Sequence, residues 1–471
     1  LRFEGPVERT RLSALFGLSP EALEDLVEGL VVEGLLLGDV LLRGSEEALV
    51  IDRDNCEILL RLGRKAARPR VEARPAADLF RFIALVQGLG SEEAGPERET
   101  EVMEGLAGYP APASLWETAI LPPRLGRGAG ACLDRLLGSG EWLWFGCGRE
   151  TIAFANAWNY ELFAPPRLEP SALVPAHAGA LDFWKIREVS GLGSRDCALA
   201  LWAEAWEGRV TADGFGAIRK GLANRFGKDL AEAADEAPSD GNRAGARRIP
   251  LALRQRWKRG APVEGDWTSL ELDGDERDPL DEEELDRERV RLLVKRYGIL
   301  QRPLLERELG ALSWRRLFPC LRRMELAGEL LFGYFFRGVP APQFMGPEFL
   351  PLFMGMSEGA TTPLWLSALD PASPAGFPFD ETPALSIPRS LSNSLCLSGG
   401  GIVAATRRSG KDLLVSPELG EGELRQLLAA LAANFGRGRI ETIDGAPAAS
   451  SPHAALLIEA GFDSDRGILL R

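Results

Sequence analysis

The segment Trp314–Gly338 of this 471-residue chain reads WRRLFPCLRRMELAGELLFGYFFRG. Arg315, Arg316, Arg322 and Arg323 fall on an amphipathic helical stretch. Tyr334, Phe335, Phe336 and Arg337 follow in a short apolar hairpin. Guanidinium groups bring fixed charge and forked donors that suit phosphate oxygens, and aromatic rings beside them suit stacking on unpaired bases. Strand alternation offers a second reading, in which Phe335, or Tyr334 and Phe336, faces a core.

Two further windows are basic. RLGRKAARPRVEAR contributes Arg61, Arg64, Lys65, Arg68, Arg70 and Arg74, and the first four share one helix face at spacings of three and four. RAGARRIPLALRQRWKRG holds Arg243, Arg247, Arg248, Arg254, Arg256, Lys258 and Arg259 around Trp257, with no acid. It either contacts nucleic acid or neutralises the acidic run that follows. From Glu264 to Glu288 there are 13 acids against two arginines. That stretch holds most of the net charge of −14 and reads as a solvated linker entering a helix.

Catalytic groups are sparse. Asp463 and Asp465, in GFDSDRG, are the carboxylates to test for activating water at a sugar carbon; the other reading is a surface turn. Of the two histidines, His177 reads as a loop residue and His453 as a helix N-terminal one. The six cysteines form no C-x-x-C pair. That excludes zinc-finger and H-E-x-x-H chemistry, and the expectation is a reducing cytoplasm with no metal and no disulfide. No run of about 18 apolar residues is present for a membrane span. The first residue is Leu1, so the expectation is a processed product or a piece of a longer protein.

The elements that must hold these groups recur. Four apolar-periodic stretches each reach a glycine (Gly34, Gly140, Gly208, Gly328) and then turn into short alternating apolar residues. In the first copy Ser19 reads as an N-cap, Pro20 as the first helical residue, and Leu23, Leu26, Val27, Leu30 and Val31 as one buried face. Gly34 closes the helix, and a turn at Gly38–Asp39 separates two strands. Helix, turn, helix, hairpin is the winged-helix plan. In the fourth copy Ser313 and Gly328 bound the third helix, and Pro319 should kink it. The glycines lie 106, 68 and 120 residues apart, too uneven for a solenoid. The expected fold is mainly α with small β-hairpins: four to five tandem winged-helix modules, then a C-terminal α+β, β-barrel-like domain. Boundaries are placed at 1–75, 76–165, 166–268, 269–350 and 351–471.

The copies differ in charge. The third helix of the first carries Glu21, Glu24, Asp25, Glu28 and Glu33 and no base. It would repel phosphate and reads as a packing or partner-binding surface. The third copy sets Glu204 and Glu207 against Arg195. Only the fourth has a strongly cationic third helix.

Several phrases resemble the C-terminal extension of the Lhr (large helicase-related) family of superfamily-2 DNA helicases. They include NCEILLRLGRKAARPRVEARPAADLFRFIALVQGL, APASLWETAILPPRL, LWAEAWEGRVTADGFGAIRKGL, RYGILQRPLLERE, FPCLRRMELAGELLFGYFFRGVPAPQFMGP, LSALDPASPAGFPF and DGAPAASSPHAALLIEAGF. The resemblance implies an ATP- and magnesium-dependent motor upstream of this chain, and an accessory region that supports DNA repair, binds DNA and forms homo-oligomers. Single-stranded DNA and RNA–DNA hybrid are the forms to test. FGKDL and SGKDL make no phosphate cradle, so no cofactor and no ATP turnover is expected here. The extension is also similar in fold to AlkZ-type DNA glycosylases, which use a Q-x-Q or Q-x-D pair. Gln87, Gln255, Gln301, Gln343 and Gln426 all lack it. A glycosylase acting on uracil or alkylated bases is the alternative function, and a purely structural assembly module the third.

Overall fold

The computed structural model describes residues 1–2, 4–40, 49–67, 71–90, 95–163, 170–230, 261–270, 278–339, 342–356, 363–379, 385–399, 401–417, 419–434 and 438–471. The chain divides into two compact units. The smaller is Leu1–Glu72 with Arg322–Leu331; the larger is Ala73–Leu321 with Phe332–Arg471.

All four repeat glycines have the left-handed backbone that a side chain disfavours, with φ between 73° and 83°. Each follows a helix and precedes the second strand of a three-stranded sheet. The four sheets share one strand order: first, third, second. Val7 pairs with Val50, Ala111 with Ile152, Leu181 with Trp267, and Ile299 with Met345, always antiparallel. A helix that stops on a left-handed glycine can turn its chain back along its own flank. That gives every copy the same entry into its hairpin.

The smaller unit follows the sequence closely at its helix ends. Helix Arg9–Phe16 ends at Gly17, and Ser19 caps helix Pro20–Val32 by accepting from the Ala22 amide at 3.2 Å. Its apolar face is narrower than expected. Leu23 and Val27 are buried, whereas Leu26 and Val31 are exposed. The expected turn at Gly38–Asp39 is instead a bulge inside one strand, Leu36–Val40, whose partner is Leu49–Asp52. A bulge and a turn share the same small, polar residue signal.

In the larger unit the second and third copies share one aromatic core. Trp144, Trp202 and Trp267 meet edge-on or stacked at 5.3–6.3 Å, and the Thr211 hydroxyl donates to the Trp144 carbonyl at 2.6 Å. Gly146 makes this approach possible: a Cβ there would lie 1.9 Å from the Ala205 carbonyl oxygen. At the rim Arg219 reaches Glu117 and Asp134, both at 2.7 Å. The acidic stretch begins a helix, Pro279–Tyr297, with Asp278 accepting from the Leu280 amide at 3.0 Å. Helix Trp314–Ala327 runs without a break across Pro319, which is exposed. All six cysteines are free, four of them buried.

A buried polar seam joins the second copy, the fourth copy and residues 368–375. Arg124 forms a forked pair with Asp370, at 2.8 and 2.9 Å, and both are sealed from solvent. Arg296 pairs with Glu308 and donates to the Gly105 carbonyl at 2.9 Å, while the Tyr297 hydroxyl donates to Glu308 at 2.6 Å. Arg389 donates to the Ala368 carbonyl at 2.8 Å, and Arg307 to the Ser373 carbonyl at 2.7 Å. Burial pushes the Tyr297 phenol well above its ordinary range, and the Glu308 carboxylate adds to the effect. Burial works against the charge of Arg296, but Glu308 with the phenols of Tyr297 and Tyr109 together outweighs it, and the guanidinium stays above its usual value.

The C-terminal region is α+β and open, not barrel-like. Its six-stranded sheet runs from Leu364–Ser367 to Ala446–Pro447, and these end strands are not neighbours. One pairing, Asp412–Val415 with Thr442–Ile443, is parallel, so the chain must cross over between them. Helix Glu421–Asn434 makes that crossover and lays Leu424, Leu427, Leu428 and Leu431 against the sheet. A sheet covered by a helix has no need to close on itself.

Two stability predictions follow from the buried contacts. Asp370→Ala leaves the Arg124 guanidinium buried without a counterion and lowers stability by about 3–5 kcal/mol in a urea titration. The apolar pair Arg124→Met with Asp370→Leu recovers most of that loss. Gly146→Ala costs about 2 kcal/mol or more, because the obstructing atom is backbone and cannot rotate away.

Candidate nucleic-acid interface

The cationic residues of the fourth copy do not share one fate. On helix Trp314–Ala327, Arg315 and Arg323 are exposed. Arg316 turns toward the acidic helix and pairs with Asp286 at 2.9 Å and with Glu282. Within the smaller unit Arg322 pairs with Glu57. Arg61 is held there too, 2.6 Å from Glu57 and 3.6 Å from the nearly buried Glu325. These acids are oriented by their own helices, Arg53–Ala67 and Pro279–Tyr297. Apart from the i,i+4 pair of Glu57 with Arg61, the sequence contains the charges but not the pairings, because the partners lie far apart along the chain.

The hairpin is built around Gln343, which is fully buried. Its Oε1 accepts from the Phe335 and Phe336 amides at 2.8 and 2.9 Å, and its Nε2 donates to the Phe336 carbonyl at 2.9 Å. The Arg74 strand adds two more bonds. Arg74 N–H donates to the Phe335 carbonyl, and Arg337 N–H to the Arg74 carbonyl, both at 2.8 Å. Phe336 is 1% exposed, packed on Phe82 and Phe353. It is therefore not a surface for a base, contrary to expectation. Phe335 is buried as well, whereas Tyr334 is 72% exposed. Neither alternation pattern holds, since the strand ends at Gly333 and the following residues bend around the glutamine. Arg337 is exposed. Gln343 is the residue that sequence reasoning missed; a lone glutamine in an apolar strand is the signal that would have found it.

Arg64 and Lys65 lie in helix Arg53–Ala67, with side chains outside the described set. Arg68, Arg70, Arg247, Arg248, Arg254, Arg256, Trp257, Lys258 and Arg259 also lie outside the described residues. In sequence that last window lies between helix Gly216–Ala223 and strand Asp266–Ser269.

Asp463 and Asp465 sit on an exposed strand paired with Ile468–Leu470, beside the turn at Arg466–Gly467. They face open surface. A concavity elsewhere in the C-terminal region is lined by Val415, Ser416, Pro417, Leu419, Leu424, Asp444 and His453. There Asp444 Oδ1 accepts from the Val415 amide at 2.9 Å, and Oδ2 lies 3.9 Å from His453 Nε2. His453 stands at the start of helix Ala454–Glu459, as expected.

Residues 279–363 and 74–157 each match a family model described as the winged-helix domain of the large helicase-related protein. The chain is 27% identical over 446 residues to the "Lhr helicase/probable uracil glycosylase" of Mycolicibacterium smegmatis. It is 28% identical over 450 residues to the "Lhr helicase/uracil glycosylase" of Escherichia coli. These alignments take in 88% and 86% of this chain but 28% of each relative. Among solved structures, the Streptomyces sahachiroi DNA glycosylase AlkZ aligns with 79% of this chain and all of its own, at 14% identity and a TM-score of 0.42. The chain thus carries two winged-helix domains of the large helicase-related type, within a likeness to Lhr helicases that runs along most of its length.

Proposed function

We propose that this chain is the non-motor region of an Lhr-type DNA repair helicase. In this reading all four glycine-bounded copies are winged-helix modules. The fourth meets nucleic acid, and the first mediates self-association. Support for the count comes from the shared strand order of the four sheets. The nucleic-acid part is carried by one observation: Arg315, Tyr334 and Arg337 are exposed on a copy that the Lhr winged-helix model matches. Backbone charge dominates such binding, and exposed cations set it. Among the described residues no helix is long and apolar enough to cross a membrane.

Self-association is supported by the surface of the smaller unit. Leu15, Phe16, Leu26, Val32, Ile58 and Leu62 are all exposed there. Apolar surface of that extent on one module marks an interaction face, and a second copy of the chain is its simplest occupant.

The relatives' names support a second reading, removal of uracil from DNA. Excision needs a carboxylate near a pocket for a flipped base. Asp444 lines a concavity, whereas Asp463 and Asp465 lie on an exposed strand.

Fluorescence anisotropy against labelled DNA tests the first reading. Binding is expected at low salt and weakens about tenfold or more over a fourfold salt increase, as counterion release requires for about three phosphates. Arg315→Ala with Arg337→Ala lowers affinity by about tenfold. Salt-independent binding, or an unaffected double variant, would remove the fourth copy from the reading. Light scattering is expected to show an oligomer that Val32→Glu with Leu62→Glu dissociates. For the second reading, a uracil-containing oligonucleotide is incubated with the chain and cleaved with alkali. Excision is expected to fall at least a hundredfold in Asp444→Asn and to persist in Asp465→Ala; intact oligonucleotide with the parent chain excludes the activity.

A further inference from the structure

We infer that the fourth copy holds an unpaired nucleic-acid base on Tyr334 rather than laying its third helix in a duplex groove. This rests on the nucleic-acid reading above and specifies which nucleic acid, and how. A helix that reads a major groove needs free donors along its outward face. Here the inner arginines are committed. Arg316 is paired with Asp286 and Glu282, and Arg322 with Glu57. To offer either one to phosphate, the protein would have to give up an ion pair and bring carboxylates up to the same polyanion. The acids act as an internal competitor for the helix.

The hairpin has the opposite character. Tyr334 is the one residue of its Tyr334–Phe336 run that faces solvent, at 72% exposure, and its neighbours fix its place. Phe335 and Phe336 are packed against Phe353 at 5.7 and 5.3 Å between ring centres. Their amides end on buried Gln343, and the flanking backbone is bonded to Arg74 on both sides. A large aromatic ring is thus held outward on a backbone fixed by five hydrogen bonds. A flat partner would find it already placed, with little ordering entropy to lose. Arg337, exposed three residues on, supplies charge for the phosphate next to the stacked base. Stacking is open to every base, because each has a π-face, and closed to a paired duplex, whose bases are already stacked.

The test compares a labelled single strand with the same strand in duplex, at low salt, for the parent chain, Tyr334→Ala, Tyr334→Trp and Trp158→Ala. Trp158 is an exposed aromatic, at 80%, on the second copy and serves as the control. Tyr334→Ala is expected to weaken single-strand binding by about 5- to 100-fold. Tyr334→Trp and Trp158→Ala are expected to retain it, and duplex binding is expected to be weaker than single-strand binding in the parent and insensitive to Tyr334. Single-strand affinity unchanged in Tyr334→Ala, or an equal loss on duplex, overturns this inference and leaves the nucleic-acid reading standing. No binding of either form by the parent overturns both.

Discussion

The architecture depends on how the protein satisfies a buried loop. Residues 368–376, ALDPASPAG, carry no regular structure beyond turns, yet Ala368, Asp370, Ala372, Ser373 and Ala375 are sealed from water. A buried loop brings carbonyl groups that no strand or helix partner satisfies. Three arginines from outside the loop supply the donors. Arg389 and Arg307 take its carbonyls, and Arg124 takes its one carboxylate, which itself accepts from the Ala372 amide at 2.8 Å. Arginine suits this role because its five donors are fixed in a plane and its charge survives burial. The small side chains let the loop thread between the second and fourth copies; larger ones would hold the arginines away.

This seam explains how repeated modules become one body in the larger unit. Copies with the same strand order have no intrinsic reason to keep a fixed mutual geometry. Two different devices impose one. Between the second and third copies it is apolar, a tryptophan cluster made possible by the missing side chain at Gly146. Between the second, the fourth and the C-terminal region it is ionic and hydrogen-bonded. A buried ionic contact is poor value for stability alone but is intolerant of misplacement, so the seam favours one arrangement over near alternatives.

The local features were legible because they are written in local chemistry. Gly34, Gly140, Gly208 and Gly328 each mark a left-handed backbone that only glycine adopts cheaply, and Ser19, Pro20 and Gly17 announce helix ends within a few residues. What escaped was nonlocal. Nothing near Arg124 or Asp370 tells either residue of the other, 246 positions away. Leu26 and Val31 have helical spacing with Leu23 and Val27, but spacing cannot say that the neighbouring surface is missing. Phe335 and Phe336 are both buried, which strict alternation does not allow, because the strand stops at Gly333 and the chain bends around Gln343; a lone glutamine in an apolar strand marks the spot without saying which amides it will bond. Gly38–Asp39 has the composition of a turn and the geometry of a bulge.

The same distinction bears on how charge should be read in a repeat protein. Counting arginines singles out helix Trp314–Ala327, and the count is correct, but Arg316 and Arg322 are used internally. The acidic residues that first look like a solvated leader are partners of the cationic helix: Asp286 serves both Arg316 and the buried Arg289. An acid that bridges a buried and a surface arginine is anchored by the first and so presents a fixed charge to the second. Releasing Arg316 would therefore require moving a carboxylate that the core already holds. The exposed hairpin bears no such commitment, since its bonds are made through backbone and a neutral amide. In this copy the helix uses Arg316 and Arg322 for structure, whereas Arg315 and, on the wing, Tyr334 and Arg337 face solvent.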